Sequence, residues 1–224
     1  MTRESLDRQI RQIEDEVLLL GSMVEQSVLT AVDSLKHRDI DTAHQVIEDD
    51  QYINDKRYAI ENAVLILIAT QQPIAHDLRL LAAMLEVSTE LERIGDYAKG
   101  IAKVTIMLGD SNIPIPIREI NHMAQIGISM LHRALGAFIA ENPNQASAIP
   151  QEDDEVDQLY NKVYRMLIDM MIADPSTIDH ASLLLWVAHN LERLADRVTN
   201  ICERTVFIAT GELLEMDISD DESV

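Results

Sequence analysis

Glycine, proline and aromatic residues are scarce: the 224-residue chain has seven Gly, six Pro, two Phe and one Trp. So few turn formers and aromatics argue against a β-rich fold, while 47% hydrophobic residues leave ample material for a core. Cysteine is nearly absent. The single Cys202 excludes an intrachain disulfide framework and suits a reducing compartment. Positive charge is outnumbered, with 18 Lys and Arg against 39 Asp and Glu and a net charge of −21. That balance repels nucleic-acid phosphates and anionic lipid alike, and it excludes a conventional nucleic-acid binder.

Long apolar runs are missing too. The longest, Ala63 to Ala69, is seven residues, against the roughly 20 that a membrane-spanning helix needs. Any membrane association is therefore expected to be peripheral and through partners. The charged start, Thr2-Arg3-Glu4-Ser5-Leu6-Asp7-Arg8, lacks the apolar stretch of a secretory signal, so export is not expected.

What is present is a duplication. Glu92-Arg93-Ile94-Gly95-Asp96 and Glu192-Arg193-Leu194-Ala195-Asp196 repeat one pattern at an offset of one hundred residues. Residues 85–108 and 185–208 agree at Leu85, Val87, Leu91, Glu92, Arg93, Asp96, Ile101 and Thr105. Both segments step by four and three: Val87, Leu91, Ile94, Ala98, Ile101, Thr105 and Leu108 in the first, and Val187, Leu191, Leu194, Val198, Ile201, Thr205 and Ile208 in the second. That spacing predicts long helices with a narrow apolar seam. Ile53, Ile60, Val64 and Leu67 continue it upstream, as do Val156, Val163, Leu167 and Met170.

Breaks fall at His37 to Asp39, Gln72-Pro73, Gly109 to Pro116, Asn142-Pro143 and Asp174-Pro175. The expected fold is all-α: six helices in two pseudo-repeated three-helix bundles, residues 1–110 and 111–211, linked by Asn112-Ile113-Pro114-Ile115-Pro116. An acidic tail over 212–224 carries Glu212, Glu215, Asp217, Asp220, Asp221 and Glu222 without a basic residue. Asp39 or Asp41 suits the cap of the second helix, and Thr177 or Asp179 that of the sixth.

At 100° per residue, Glu92 and Asp96 fall about 100° and 140° from Leu91, across the helix from its seam. Glu192 and Asp196 repeat the geometry, and Asn200 and Glu203 extend their stripe. A second set recurs one helix earlier: Asp153 with Asp157 on the fifth helix, and Asp50 with Asn54 on the second when Ile53 is matched to Val156. If these helices are neighbours, four oxygen-bearing side chains converge in a groove of each bundle. The bland alternative is a solvated acidic face, because roughly six i, i+4 acid pairs arise by chance in so acidic a helical chain. An outward pair also predicts that its removal leaves metal-free stability within about 1 kcal/mol.

If the carboxylates bind something, it is a hard cation: magnesium, manganese, calcium or iron rather than zinc or copper. Enzymatic signatures are missing, with no phosphate loop, no His-Glu-x-x-His run and no nucleophile elbow. Cys202, beside the seam of the sixth helix, reads as a core residue. A di-iron carboxylate oxidase needs two inward Glu-x-x-His motifs. Only Glu119-Ile120-Asn121-His122 has that spacing.

The two copies, Leu91 to Ala98 and Leu191 to Ile201, together with Gln71-Gln72-Pro73-Ile74-Ala75-His76-Asp77-Leu78-Arg79, resemble the PhoU family of phosphate-signalling accessory proteins over about residues 6 to 210. The resemblance implies a cytoplasmic regulator that is not an enzyme. It implies association with a phosphate ABC transporter, through its ATPase subunit, and with a sensor histidine kinase, restraining phosphate uptake and the starvation response. It also implies iron, manganese or magnesium on the repeated acids, and a homodimer. Carried over residue by residue, the motif lands on Glu92 with Asp96 and on Glu192 with Asp196, with Asp153 and Asp157 as partners. In the first half Asn54 replaces an acid, and Gly100 and Lys103 stand where the second has Asn200 and Glu203, so the second site is expected to bind more tightly. A helical metal-binding protein with a storage or di-iron redox role is the alternative.

Overall fold

The computed structural model describes residues 3–213 and 215–216, and helix is the regular structure throughout them. The elements are α1 (Arg3–His37), α2 (Ile40–Gln71), α3 (His76–Leu108), α4 (Ile117–Ile139), a short α5 (Pro143–Ala148), α6 (Asp153–Ala173) and α7 (Ile178–Thr210). The six long helices are the six expected ones, with α6 and α7 as the fifth and sixth. The short α5 was not foreseen. It forms because Asn142 caps it, accepting the Gln145 N–H at 3.2 Å, with Pro143 at its first position.

Each expected break is a helix end. Asp39, of the two candidates, caps α2 by accepting the Thr42 N–H at 3.0 Å. Neither candidate caps α7: Thr177 holds the position but makes no side-chain cap bond. Asp174 instead accepts the Ser176 N–H at 3.0 Å and caps the one-turn 3₁₀ helix, Pro175–Thr177, that leads into α7. Of the expected acidic tail, Glu212 and Glu215 fall within the described residues; Asp217, Asp220, Asp221 and Glu222 lie outside them.

Helices α1, α2 and α3 pack on one another, as do α4, α6 and α7, and the two bundles lie side by side with α3 along α7 and α1 along α4. Every seam residue of α3 and α7 is buried, and the apolar core runs continuously through both bundles. Each buried Leu, Ile or Val contributes about 1.5–3 kcal/mol, so this seam is the main source of stability. By length and composition α1 passes for a membrane span. In the fold its Val17, Leu20, Val24, Val28 and Ala31 are fully buried among its neighbours, as in a core helix.

Duplication shapes the seam between the bundles. Equivalent positions 97 and 197 face each other, with Arg197 Nε donating to the Tyr97 hydroxyl at 3.2 Å and Arg193 lying 5.6 Å from the Tyr97 ring centre. A pseudo-twofold contact of this kind brings each repeat's helix against its own counterpart. Arginines from elsewhere in the chain close the helix ends. Arg79 donates twice to the Ile208 carbonyl in the last turn of α7, at 3.2 and 3.3 Å, and Arg38 donates to the linker carbonyl of Ile113 at 2.8 Å. These satisfy carbonyls that a helix end or a loop leaves without partners.

One close approach makes a direct prediction. A Cβ at Gly100 would lie 2.1 Å from the Trp186 ring, so Gly100→Ala must displace the indole, which is already 44% exposed. Ala gains about 0.8–1 kcal/mol of helix propensity over Gly, which offsets much of the packing lost. The expected result is a small change in stability with a red-shifted tryptophan emission, and an unshifted spectrum would contradict it. The chain's single Trp makes that reading unambiguous.

Candidate metal centre

The acids of the second bundle meet where α6 begins beside the middle of α7. Asp153 is the first residue of α6, delivered by the turn Pro150–Glu152, and acids at Asp153, Asp154 and Glu155 suit the positive end of the helix dipole. Val156, Val163 and Leu167 seat α6 in the core, while Leu191, Leu194, Ala195 and Val198 seat α7. Glu192 and Asp196 are thereby held at the α7 edge that borders Asp153 and Asp157.

Asp153 is only 3% exposed, and both of its carboxylate oxygens are buried without a hydrogen-bond partner. The Glu192 Oε2 is buried and unpartnered as well. His189 Nδ1 comes within 3.2 Å of that oxygen, but not in the alignment of a hydrogen bond. Burial, then the charges of Asp157, Asp196 and Asp154, push the Asp153 carboxyl up to about 7. Glu192 is likewise pushed up to about 7, by burial first and then by Asp196, Asp157 and Asp153, with Arg193 opposing. Asp157 and Asp196 shift in the same direction, each chiefly through burial. Four carboxyls thus destabilise one another's charged forms in a half-buried groove.

An orphaned buried carboxylate costs several kcal/mol unless something neutralises it. Four hard oxygen donors with no thiolate among them fit a hard cation. Cys202 is fully buried and its thiol pushed up to about 12 by that burial, so it offers no soft donor. Among the described residues, no three His, Cys, Asp or Glu side chains are drawn together tightly enough to hold an ion as they stand. Asp157, Glu192 and Asp196 are partly exposed and keep the freedom to change rotamer and turn inward.

The first bundle brings the corresponding residues together differently. Asp50 is also 3% exposed, but its Oδ2 accepts from Lys99 Nζ at 2.6 Å and from Asn54 Nδ2 at 3.0 Å. Glu92 and Asp96 complete the groove, and both carboxyls are raised, first by burial and then by neighbouring acids. Arg57 draws Glu92 back down, and Lys99 and Lys103 do so for Asp96. Lys103, the competing cation expected from the sequence, acts on Asp96 alone. Lys99 was missed, although the alignment of Lys99 with Thr199 carried the signal.

Asn200 and Glu203 are engaged elsewhere. Asn200 Nδ2 donates to Glu90 Oε2 across the bundle seam at 3.3 Å, and Glu203 Oε1 accepts the Met216 N–H at 2.8 Å. Thr199 was not foreseen: it is 1% exposed, its Oγ1 has no partner, and it falls about 20° from Glu192 on the α7 wheel. The repeated acids do lie across the helix from the seam, yet they border a neighbouring helix and are partly buried, not a freely solvated face. On that ground their removal is now expected to change the metal-free stability.

The PhoU domain matches residues 17–105 and 120–205, one copy per bundle. The phosphate-specific transport system accessory protein PhoU homolog of Clostridium acetobutylicum is 35% identical over 218 residues, spanning 97% of this chain and all of that protein. The Escherichia coli phosphate-specific transport system accessory protein PhoU is 34% identical over 205 residues, 91% of this chain and 85% of its own. The crystal structure of the phosphate transport system regulatory protein PhoU from Streptococcus pneumoniae superposes with a TM-score of 0.87 at 32% identity, covering 93% of this chain and 99% of its own.

Proposed function

The chain belongs to the PhoU family, and from that premise we propose that it is a regulator of phosphate homeostasis that carries a hard metal ion in the groove between α6 and α7. Relatives named as accessory proteins of a phosphate-specific transport system support the first part. The orphaned oxygens of Asp153 and Glu192 carry the second. In this reading the protein acts by docking, not by catalysis. It joins the ATPase subunit of a phosphate ABC transporter and a sensor histidine kinase in the cytoplasm, and so restrains phosphate uptake and the starvation response.

Asp153, Asp157, Glu192 and Asp196 would hold the ion, whether iron, manganese or magnesium. When bound, it supplies positive charge and open coordination positions that attract an oxyanion or a partner's carboxylate to an otherwise repellent surface. Asp153 is fixed by the start of α6, Glu192 by the middle of α7, and the core beneath both keeps the groove from widening. A homodimer would use exposed apolar side chains such as Ile172 and Met166 on α6 or Ile66 and Leu65 on α2. The storage or di-iron alternative is poorly served, since Glu119 is salt-bridged to Lys162 at 2.9 Å and not free to ligate.

Elemental analysis of the purified protein by plasma mass spectrometry, repeated on Glu192→Ala/Asp196→Ala, tests the metal. The expected result is stoichiometric iron or manganese in the wild type and at least a tenfold loss in the variant. Equal retention in both would place the metal elsewhere. Recovery of neither transporter nor kinase components with the tagged protein from phosphate-replete cells would overturn the regulatory part.

A further inference from the structure

We propose that the groove between α2 and α3 takes no metal ion because the ammonium of Lys99 already occupies the cation position. This deepens the metal reading of the second groove and rests on it. Three paired positions carry the argument. At the offset of one hundred, Lys99 corresponds to Thr199; at the offset that matches Ile53 to Val156, Asn54 corresponds to Asp157 and Arg57 to Tyr160. Each exchange moves the first groove the same way, from anion or neutral toward neutral or cation.

The geometry agrees with the exchange. Asp50 and Asp153 are equivalent and equally buried, yet Asp153 has two orphaned oxygens while the Asp50 Oδ2 is bonded to Lys99 at 2.6 Å and to Asn54 at 3.0 Å. Where Arg57 attracts Glu92, Tyr160 instead feels the Glu192 charge as a repulsion that opposes its own ionisation. Both grooves have cations nearby, Arg57 and Lys103 at the first and Arg193, Arg197 and His189 at the second, but only the first has one hydrogen-bonded to its buried carboxylate, and it has three carboxylates where the second has four. Lys99 reaches across the groove from α3 to Asp50 on α2, on its own flexible stem. Its proton is held more firmly than in an ordinary lysine, first by the hydrogen bond to Asp50. In the second groove the same backbone position carries a short hydroxyl that is buried and unpartnered, and no ammonium.

The test isolates each groove in the full-length protein. Manganese is titrated calorimetrically into the wild type, into Glu192→Gln/Asp196→Asn, and into that variant with Lys99→Thr and Asn54→Asp added. The expected result is one class of site in the wild type, no binding in the second protein, and binding regained in the third. Manganese retained by Glu192→Gln/Asp196→Asn and lost on adding Glu92→Gln/Asp96→Asn would overturn the proposal. So would a folded third protein that still binds none. Lys99→Gln alone in the same background serves if that protein melts early: a manganese-induced rise in its melting temperature supports the proposal, and no rise refutes it. A wild type that binds no manganese would instead sink the second-groove reading, an outcome the first-groove variants do not share.

Discussion

Stripped of metal, the protein should lose about 2–4 kcal/mol of stability as pH rises from 5 to 7.5, and Asp153→Asn/Glu192→Gln should abolish most of that loss. The sign follows from the direction of the shifts. Asp153 and Glu192 ionise in the folded protein only near about 7, against 3.8 and 4.5 for the ordinary groups. Between those limits the folded state holds more protons than the unfolded one, so the stabilisation is complete below the unfolded values and is lost as pH climbs through the folded ones. An isolated shift of about three units would amount to about 4 kcal/mol. The two groups titrate together with Asp157 and Asp196, which makes their sum less than additive. Asp39, Asp174 and Glu119 shift downward, by hydrogen bonds to Thr42, Ser176 and Lys162 respectively. Their stabilisation is lost only on acidification below the ordinary carboxylate range, outside this window.

Urea unfolding in chelator at pH 5 and at pH 7.5 reads the difference. At pH 7.5 the neutral double variant should be the more stable protein. Saturating manganese should reverse the order, since a ligand at one hundred times its dissociation constant adds about 2.7 kcal/mol to the protein that binds it. A double variant less stable than wild type at pH 7.5 without metal would show that the two carboxylates make favourable contacts after all.

Glu90→Ala is the second large effect, with an expected loss of about 2–3 kcal/mol from breaking a nearly buried ion pair, less than for a fully dry one. Glu90 is 9% exposed on α3. It accepts from Arg93 at 2.7 Å on its own helix, and from Arg197 at 3.4 Å and Asn200 at 3.3 Å on α7. Removing it leaves Arg197 in the seam between the bundles with the Tyr97 hydroxyl at 3.2 Å as its remaining hydrogen-bond partner and Asp196 as the nearby opposite charge. Its repeat counterpart, Asn190, is neutral and donates to Trp186 O within α7 at 2.6 Å, so it bonds no arginine of the opposite bundle. Double-mutant cycles between Glu90→Ala and Arg197→Ala should give a coupling near 1–2 kcal/mol. A Glu90→Ala protein within 0.5 kcal/mol of wild type in urea would mean that water already satisfies Arg197.

Sequence alone was enough for the repeat, the helical class and the breaks between the six long helices, though not for the start of α6 at Asp153. The seam from Val187 to Ile208 is legible because burial follows helical periodicity, and every one of its residues is buried. The breaks are legible because Pro, Gly and cap residues act on the backbone within a turn or two. The repeated carboxylates were visible for the same reason, as spacing on single helices. Tertiary structure decided everything that depends on which helices meet and how far a flexible side chain reaches. Asp50 finds Lys99 from 49 residues away, and Glu90 finds Arg197 from 107 residues away. Helical periodicity places Asp153 at the edge of a seam in one dimension, but only the approach of α7 to α6 removes its water and leaves its charge without a partner. Local patterning determines which residues share a face; desolvation and ion pairing belong to the space between faces.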